Sequence, residues 1–286
     1  IRQILKVPLG HFSQWMSSEK CNVSVLIRTR DMEKRFPELL WSLSHQTLQP
    51  LELVVVDNFS SEKSLEEMLS FLSMAKAKFF NSQVGVKLVP IADGEFSHPF
   101  STNVGVHLSN GEFVCITNGH SLPLSDMWLE IGISHFKSPE VAGVSGYFSP
   151  HKDGTIWEKI IYNSWSGLNT VSKSYFRDDH FSTINCILRK SLWKEYPFDE
   201  KLPNTIPYAE NFGGEDYDWA VEMQVRGYKV VIDPKFSVFH SHGEALPKLI
   251  SKHVIWNRIR SEIRALKRPR ESYTKLGKLK PKCYML

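Results

Sequence analysis

The stretch "SLSHQTLQPLELVVVDNFS", Ser42 to Ser60, decides the fold. It opens inside a helical pattern, because Phe36, Leu39, Leu40 and Leu43 recur at i, i+3, i+4 and i+7. It closes on Leu51 to Asn58, an apolar β-rich run that ends on Asp57. The same handover repeats on both sides. "VSVLIRTR" (Val23–Arg30) reads as a strand, and Ser60-Ser61-Glu62 opens a helical stretch with Leu65, Met68, Leu69 and Leu72. "VGVKLVPI" (Val84–Ile91), "EFVCIT" (Glu112–Thr117) and "VAGVSGY" (Val141–Tyr147) read as further strands, and "NVGVHLS" as a helix before the second of them. Alternating strand and helix predicts an α/β fold with a mainly parallel sheet. Near-continuous Val/Ile/Leu runs fit strands buried on both faces.

In such sheets ligands gather beyond the carboxyl ends of the strands. The residues to watch are therefore Thr29 and Arg30, Asp57 and Asn58, and the turn Asn118-Gly119-His120 that ends "GEFVCITNGHSLP". The first two strands end without a G-x-G-x-x-G loop, and no G-x-x-x-x-G-K-[ST] occurs, which argues against a dinucleotide or P-loop site. Later in the chain, "GGEDYDWAVEMQVRGYKVVIDP" places Glu215 and Asp216 at a helix start, after Gly213-Gly214. Carboxylates there are stabilised by exposed amides and the positive end of the dipole. Alone, the pair would read as ordinary helix-terminal charge. "FSVFHSHG" follows, with His240 and His242 on one face if it is a strand.

The 286 residues are enough for one large domain or two small ones, and 42% hydrophobic with 23% charged is ordinary for a folded chain. No apolar run reaches membrane-spanning length. The first residue is Ile, not Met, which fits a piece of something longer. Cys21, Cys115, Cys186 and Cys283 are too scattered for a CxxC site; buried reduced thiols suit a reducing cytosol. Net charge is +4, yet from Lys248 onward twelve Lys and Arg face only Glu262 and Glu271. That predicts a basic tail on a mildly acidic body, and an anionic surface as its partner. No nucleic-acid-reading motif accompanies the tail, so nucleic acid is set aside.

Taken together, these segments resemble glycosyltransferase family 2, which has the GT-A fold. The resemblance runs from about Val23 to His242. "VSVLIRTRD" is similar to the family's V-S-I-I-I-P-T-Y-N-R strand, with Arg28 in place of the usual Pro. The opening stretch matches S-L-x-x-Q-T-x-x-P-x-E-I-I-V-V-D-x-x-S, "NVGVHLSNGEF" matches N-x-G-x-x-x-A-x-G-E, and "GGEDYDWA" matches the late E-D motif. "EFSHPFSTNVG" and "FHSHG" look most like the bacterial rhamnosyltransferase-type branch.

The resemblance implies a single GT-A domain over residues 21–245, with a nucleotide-binding half (21–123) and an acceptor half (124–245). An N-terminal extension (1–20) would precede it, and a basic helical C-terminal segment and tail (246–286) would follow. It implies an inverting transfer from a UDP- or dTDP-linked sugar to a glycan or lipid-linked glycan. The enzyme would be a hexosyltransferase of polysaccharide biosynthesis, cytoplasmic and peripheral at the inner face of the membrane. Thr29, Arg30, Asp57, Asn103 and Asn118 would hold the donor nucleotide, Asp57 by accepting the N3–H of the base. Asp216 would be the general base; Glu215, Asp178 and Asp179 would bind the acceptor.

The family's Asp-x-Asp falls on Asn118-Gly119-His120, so both acids are missing. Two readings stay open. In one, His120 with His242, or His240, holds a divalent metal, Mn rather than Mg since the ligands are imidazoles. In the other, the site works without metal and cations hold the diphosphate, with Lys159, Arg177 and Arg189 as candidates. The missing acids also motivate an alternative: a catalytically silent GT-A domain that binds sugar nucleotide or a partner enzyme.

Overall fold

In Val23–Thr29 every residue but Arg28 is buried, so the strand is covered on both sides. β1 (Val23–Thr29), β2 (Glu52–Asn58), β3 (Gly85–Ile91) and β4 (Phe113–Asn118) accordingly lie parallel, in the order β3-β2-β1-β4. This is a computed structural model, and it describes residues 22–166, 175–176, 180–278 and 281–286. The later strands are β5 (Leu122–Pro123), β6 (Val141–Ser145), β7 (Phe148–Ser149), β8 (Tyr175–Phe176), β9 (Asn185–Arg189), β10 (Lys229–Ile232), β11 (Val238–Phe239) and β12 (Tyr284–Met285). The main sheet has nine strands, β12-β3-β2-β1-β4-β9-β6-β10-β8. β9 is antiparallel to both its neighbours, while β6 and β10 run with β1–β4, so the sheet is mainly parallel as expected. A small sheet, β5-β11-β7, stands beyond the end of β4.

The helices are α1 (Phe36–Ser44), α2 (Glu62–Phe79), α3 (His98–Leu108), α4 (Trp128–Ser134), α5 (Ile156–Ser166), α6 (Lys190–Glu195), α7 (Leu202–Thr205), α8 (Ala209–Phe212), α9 (Glu215–Val225) and α10 (Leu246–Ala265). α1 buries Phe36, Leu39, Leu40 and Leu43, the four residues of its apolar stripe. Burying each stabilises the fold by about 1.5–3 kcal/mol. Ser61 caps α2 by accepting from the Ser64 amide, with Glu62 in the first turn and Lys76 and Lys78 in the last. Successive strand residues face opposite sides. Val25, Ile27, Val55 and Cys115 pack in one core with residues of α1, α2 and α4, while Leu26, Val54, Val56 and Ile116 pack in another with α3, α6 and α9. Cys115 and Cys186 are buried free thiols inside the sheet, and burial pushes both well up from their ordinary value.

The C-terminal segment departs from expectation. α10 forms, but the residues after it do not trail away as a tail. Arg268 pairs with Asp218 (2.5 Å) and Glu222 (2.8 Å), and Arg270 with Asp199 and Asp218 (2.9 Å each). Asp218 and Glu222 have no solvent exposure. The chain then returns to the main sheet, where β12 pairs antiparallel with β3. Residues beyond 246 therefore belong to the same body as the sheet. Much of the charge that reads as a basic tail neutralises buried acids. No described helix is long and apolar enough to cross a membrane.

Candidate active site

The carboxyl ends of β1 and β4 and the start of α9 enclose a cavity of about 430 Å³. Thr29, Arg30, Asn118, His120, Glu215, Asp216 and His242 all line it, so the structure brings together seven expected residues from across the chain. Four buried polar atoms along its wall have no protein partner: Arg28 Nε, Thr29 Oγ1, Asn58 Oδ1 and His120 Nε2. Orphan groups of this kind are rare in native interiors. Their concentration in one cavity marks a place for a polar ligand.

The turn at the end of β4 aims His120. Gly119 is required there: a Cβ would lie 2.5 Å from Thr29 Oγ1 and 2.6 Å from Glu33 Oε2. His120 Nδ1 sits 2.9 Å from Glu33 Oε2. A carboxylate only accepts, so Nδ1 carries the hydrogen, which leaves Nε2 as the nitrogen that could ligate. The chain just beyond β11 supplies the partners, His240 and His242, which lie past the strand rather than on one of its faces. His240 stacks on His120 with ring centres 4.5 Å apart, and its Nε2 lies 3.0 Å from His242 Nε2. Ligand-capable nitrogens of all three rings lie within 4.8 Å of one another. Burial pushes His240 well down, and burial together with His120 takes His242 down to about 4, so both are neutral near pH 7. Ser121 Oγ, 2.9 Å from His240 Nδ1, orients that ring as Glu33 orients His120. Neutral, oriented imidazoles with one orphan nitrogen fit a borderline divalent metal. Among the described residues this is the cluster that could hold one.

The carboxylates enter from α9. Gly213 and Gly214 precede them with φ of 75° and 121°, a backbone that L side chains rarely adopt. A Cβ on Gly214 would also lie 2.7 Å from Ile259 Cγ2 on α10. Asp216 Oδ2 accepts from Thr183 N (3.0 Å) and Thr183 Oγ1 (3.3 Å), and Oδ1 accepts from Tyr217 N (2.8 Å). Thr183 Oγ1 in turn accepts from Arg28 Nη2 (3.1 Å). The same guanidinium donates to Thr102 Oγ1 (2.9 Å) and Asn118 Oδ1 (3.2 Å). Arg28 thus ties the ends of β1 and β4 to the base candidate, which gives a role to the residue that replaces the usual Pro. Asp218 lies apart, in the ion cluster beneath α9.

Burial, then the Asp216 charge, raises the Glu215 carboxyl from 4.5 to about 7. Folding therefore takes up a proton between those values, and the stability present below pH 4.5 is lost as pH climbs through about 7. Glu215→Gln removes that loss. Its melting temperature should gain on wild type as pH rises from about 5 to about 8. A gap that stays constant across that range would contradict the assignment.

Other expected residues fall elsewhere. Asn103 is fully buried and structural: its amide donates to Phe198 O and Glu200, and its oxygen accepts from Trp193 Nε1 and Phe198 N. It does not reach the cavity, because a helix side chain facing the core has those bonds to make. Asp57 lines a neighbouring cavity of about 470 Å³, with its carboxylate accepting from Ser60 N and Oγ. Arg30 stacks on Phe59 (4.0 Å), and the stack bridges the two cavities. Arg189 lies at the other end of β4, opposite Phe113, and pairs with Glu112; Lys159 donates to Lys152 O. Neither lines the cavity. Asp178, Asp179 and Arg177 lie outside the described residues. The cations that do line it are Arg28, Arg30, Lys252 and Arg260. Lys252, Trp256 and Arg260 form an i, i+4, i+8 stripe on α10, a signal legible in the sequence.

The family model for glycosyl transferase family 2 matches residues 24–196. The chain belongs to glycosyltransferase family 2. It is 24% identical over 234 residues to the O-antigen chain rhamnosyltransferase RfbN of Salmonella typhimurium, covering 77% of this chain and 67% of that one. Two solved structures share the fold. The mannosyltransferase PcManGT of Pyrobaculum calidifontis, in complex with GDP-Man and Mn²⁺, has a TM-score of 0.57 at 18% identity over 88% of this chain and 67% of that one. S. aureus TarS 1–349, in complex with UDP-GlcNAc, has 0.54 at 17% identity over 87% and 68%. This family 2 glycosyltransferase has the GT-A fold. The family match ends before α9 and β11, so the roles of Glu215, Asp216, His240 and His242 rest on their geometry.

Proposed function

We propose that this enzyme carries out an inverting transfer of a sugar from a UDP- or dTDP-linked donor to a glycan or lipid-linked glycan, in polysaccharide biosynthesis. The observation that carries the proposal is one cavity holding both a carboxylate pair and three convergent imidazoles. Inversion needs a single displacement, and so one base. Asp216 takes the proton from the acceptor hydroxyl as that oxygen attacks the anomeric carbon. Thr183 holds the carboxylate in place, and Glu215 orients the acceptor beside it. The nucleobase lies in the cavity of Asp57, and the diphosphate in the central cavity among Thr29, Arg30, Asn118 and the cations of α10.

His120, His240 and His242 would hold a divalent ion, Mn²⁺ in preference to Mg²⁺. When bound, such an ion neutralises charge that grows on the departing diphosphate. The relatives support this reading in kind: PcManGT was solved with GDP-Man and Mn²⁺, and GalNAc-T7 with UDP, GalNAc and Mn²⁺. Exposed Ile156, Trp157 and Ile160 on α5, with Ile250 and Val254 on α10, support peripheral contact with the cytoplasmic face of a membrane, where a lipid-linked acceptor would sit.

A thermal-shift screen of UDP- and dTDP-sugars with Mn²⁺ tests the proposal. A donor at 100 times its Kd should add about 2.7 kcal/mol to stability. No rise in melting temperature with any of these donors would overturn it.

A further inference from the structure

We propose that a second cavity, between α1 and the small sheet, is a subsite for a sugar ring of the acceptor. The proposal rests on the glycan-acceptor reading above. This cavity measures about 610 Å³, room for more than one pyranose, and lies outside the cavity of the carboxylate pair. Its wall is Trp41, 54% exposed although it sits on a helix that otherwise buries its large side chains. The indole is a fixed platform. Phe79 meets it edge-on with ring centres 5.4 Å apart, and His45 packs against it at 4.0 Å. The His45 ring is itself held by Nδ1, 2.8 Å from Trp41 O.

Sugar recognition asks for two things: an aromatic face for the C–H side of a pyranose, and planar polar groups at its rim for the hydroxyls. Asp126 supplies acceptors at the rim, as do Glu38 and Asp153, both of which pair with Arg35; Lys152 and Arg35 supply donors, while Leu122 and Phe239 line the apolar part. Carboxylates without a matching excess of cations disfavour a phosphate here. The cavity also adjoins the turn that carries His120. His151, on its wall, has Nε2 2.8 Å from the His120 carbonyl oxygen, so the two cavities share the turn that aims His120. A glycan whose terminal hydroxyl reaches Asp216 would lay an inner sugar against Trp41.

Saturation-transfer NMR on the full chain tests this, using methyl glycosides of rhamnose, mannose, galactose and N-acetylglucosamine as probes. At least one should give a saturable signal in the millimolar range. The signal should vanish in Trp41→Ala, return in Trp41→Phe, and persist when UDP and dTDP are present in excess. No saturable signal from any of the four, or one indifferent to Trp41→Ala in a variant whose circular dichroism is native, would overturn the proposal. The experiment reads sugar binding without turnover. A chain that binds sugars through Trp41 but transfers nothing to a glycan would sink the acceptor reading and leave only a sugar site at Trp41, whereas transfer to a glycan without a Trp41-dependent signal would sink this proposal alone.

Discussion

Asp216→Asn is expected to lower transfer by roughly 10²–10⁴-fold, the range that a positioned general base contributes. The loss should fall on kcat, with donor binding retained. The substitution keeps the shape and the bond from Thr183 N (3.0 Å), and gives up only the one that the second carboxylate oxygen accepts from Tyr217 N (2.8 Å). What it removes is the charge that takes the proton. A variant that unfolded or released the donor would instead mark a structural role, so donor binding and melting temperature must be measured on the same sample. Full turnover in Asp216→Asn would remove this residue from the mechanism. Glu215 has a different character: burial and the Asp216 charge raise its carboxyl to about 7, so it holds a proton at higher pH than an ordinary carboxylate. Such a group can donate to an acceptor oxygen as well as accept.

Asp218→Ala should cost stability, about 3–5 kcal/mol, because removing one member of a buried ion cluster leaves the other charges uncompensated. Asp218 has no exposed surface and receives Arg268, Arg270 and the Tyr196 hydroxyl. The deletion leaves Arg268 with Glu222 alone and Arg270 with Asp199 alone, two guanidiniums each short of a carboxylate beside α9, the helix whose first turn carries Glu215 and Asp216. Urea denaturation would show the midpoint fall. A change under about 1 kcal/mol, the size expected of a surface pair, would mean that the cluster is open to water in solution.

The parallel sheet was legible in the sequence because its strands are buried on both faces, so hydrophobic runs announce them without help from context. The ends of those strands then pointed to Thr29, Arg30, Asn118 and His120. The Glu215–Asp216 pair was legible only through the likeness of "GGEDYDWA" to the family's late E-D motif, since by itself it reads as helix-terminal charge. What could not be read was which polar residues turn inward. Asn103 lies in a motif-like segment, yet its four hydrogen bonds hold α3 to the chain around Phe198. The basic C-terminal segment misled for a related reason. A count of charges cannot see that Arg268 and Arg270 face Asp218, Glu222 and Asp199, acids that lie far back in the sequence. His240 was in view as one of a pair; its stacking on His120 needed β11 to be placed beside β5.

The most direct test of the central claim, that the three imidazoles beside the carboxylate pair hold the metal on which the donor is bound, is calorimetric titration of the wild-type enzyme with UDP- and dTDP-sugars. The titration is run with Mn²⁺ and again after chelation with EDTA. The account predicts saturable binding of a UDP- or dTDP-sugar with Mn²⁺ and its loss, or a large weakening, once the metal is removed. Donor binding of equal strength in EDTA would contradict it, and would leave the diphosphate to Arg28, Arg30, Lys252 and Arg260 instead.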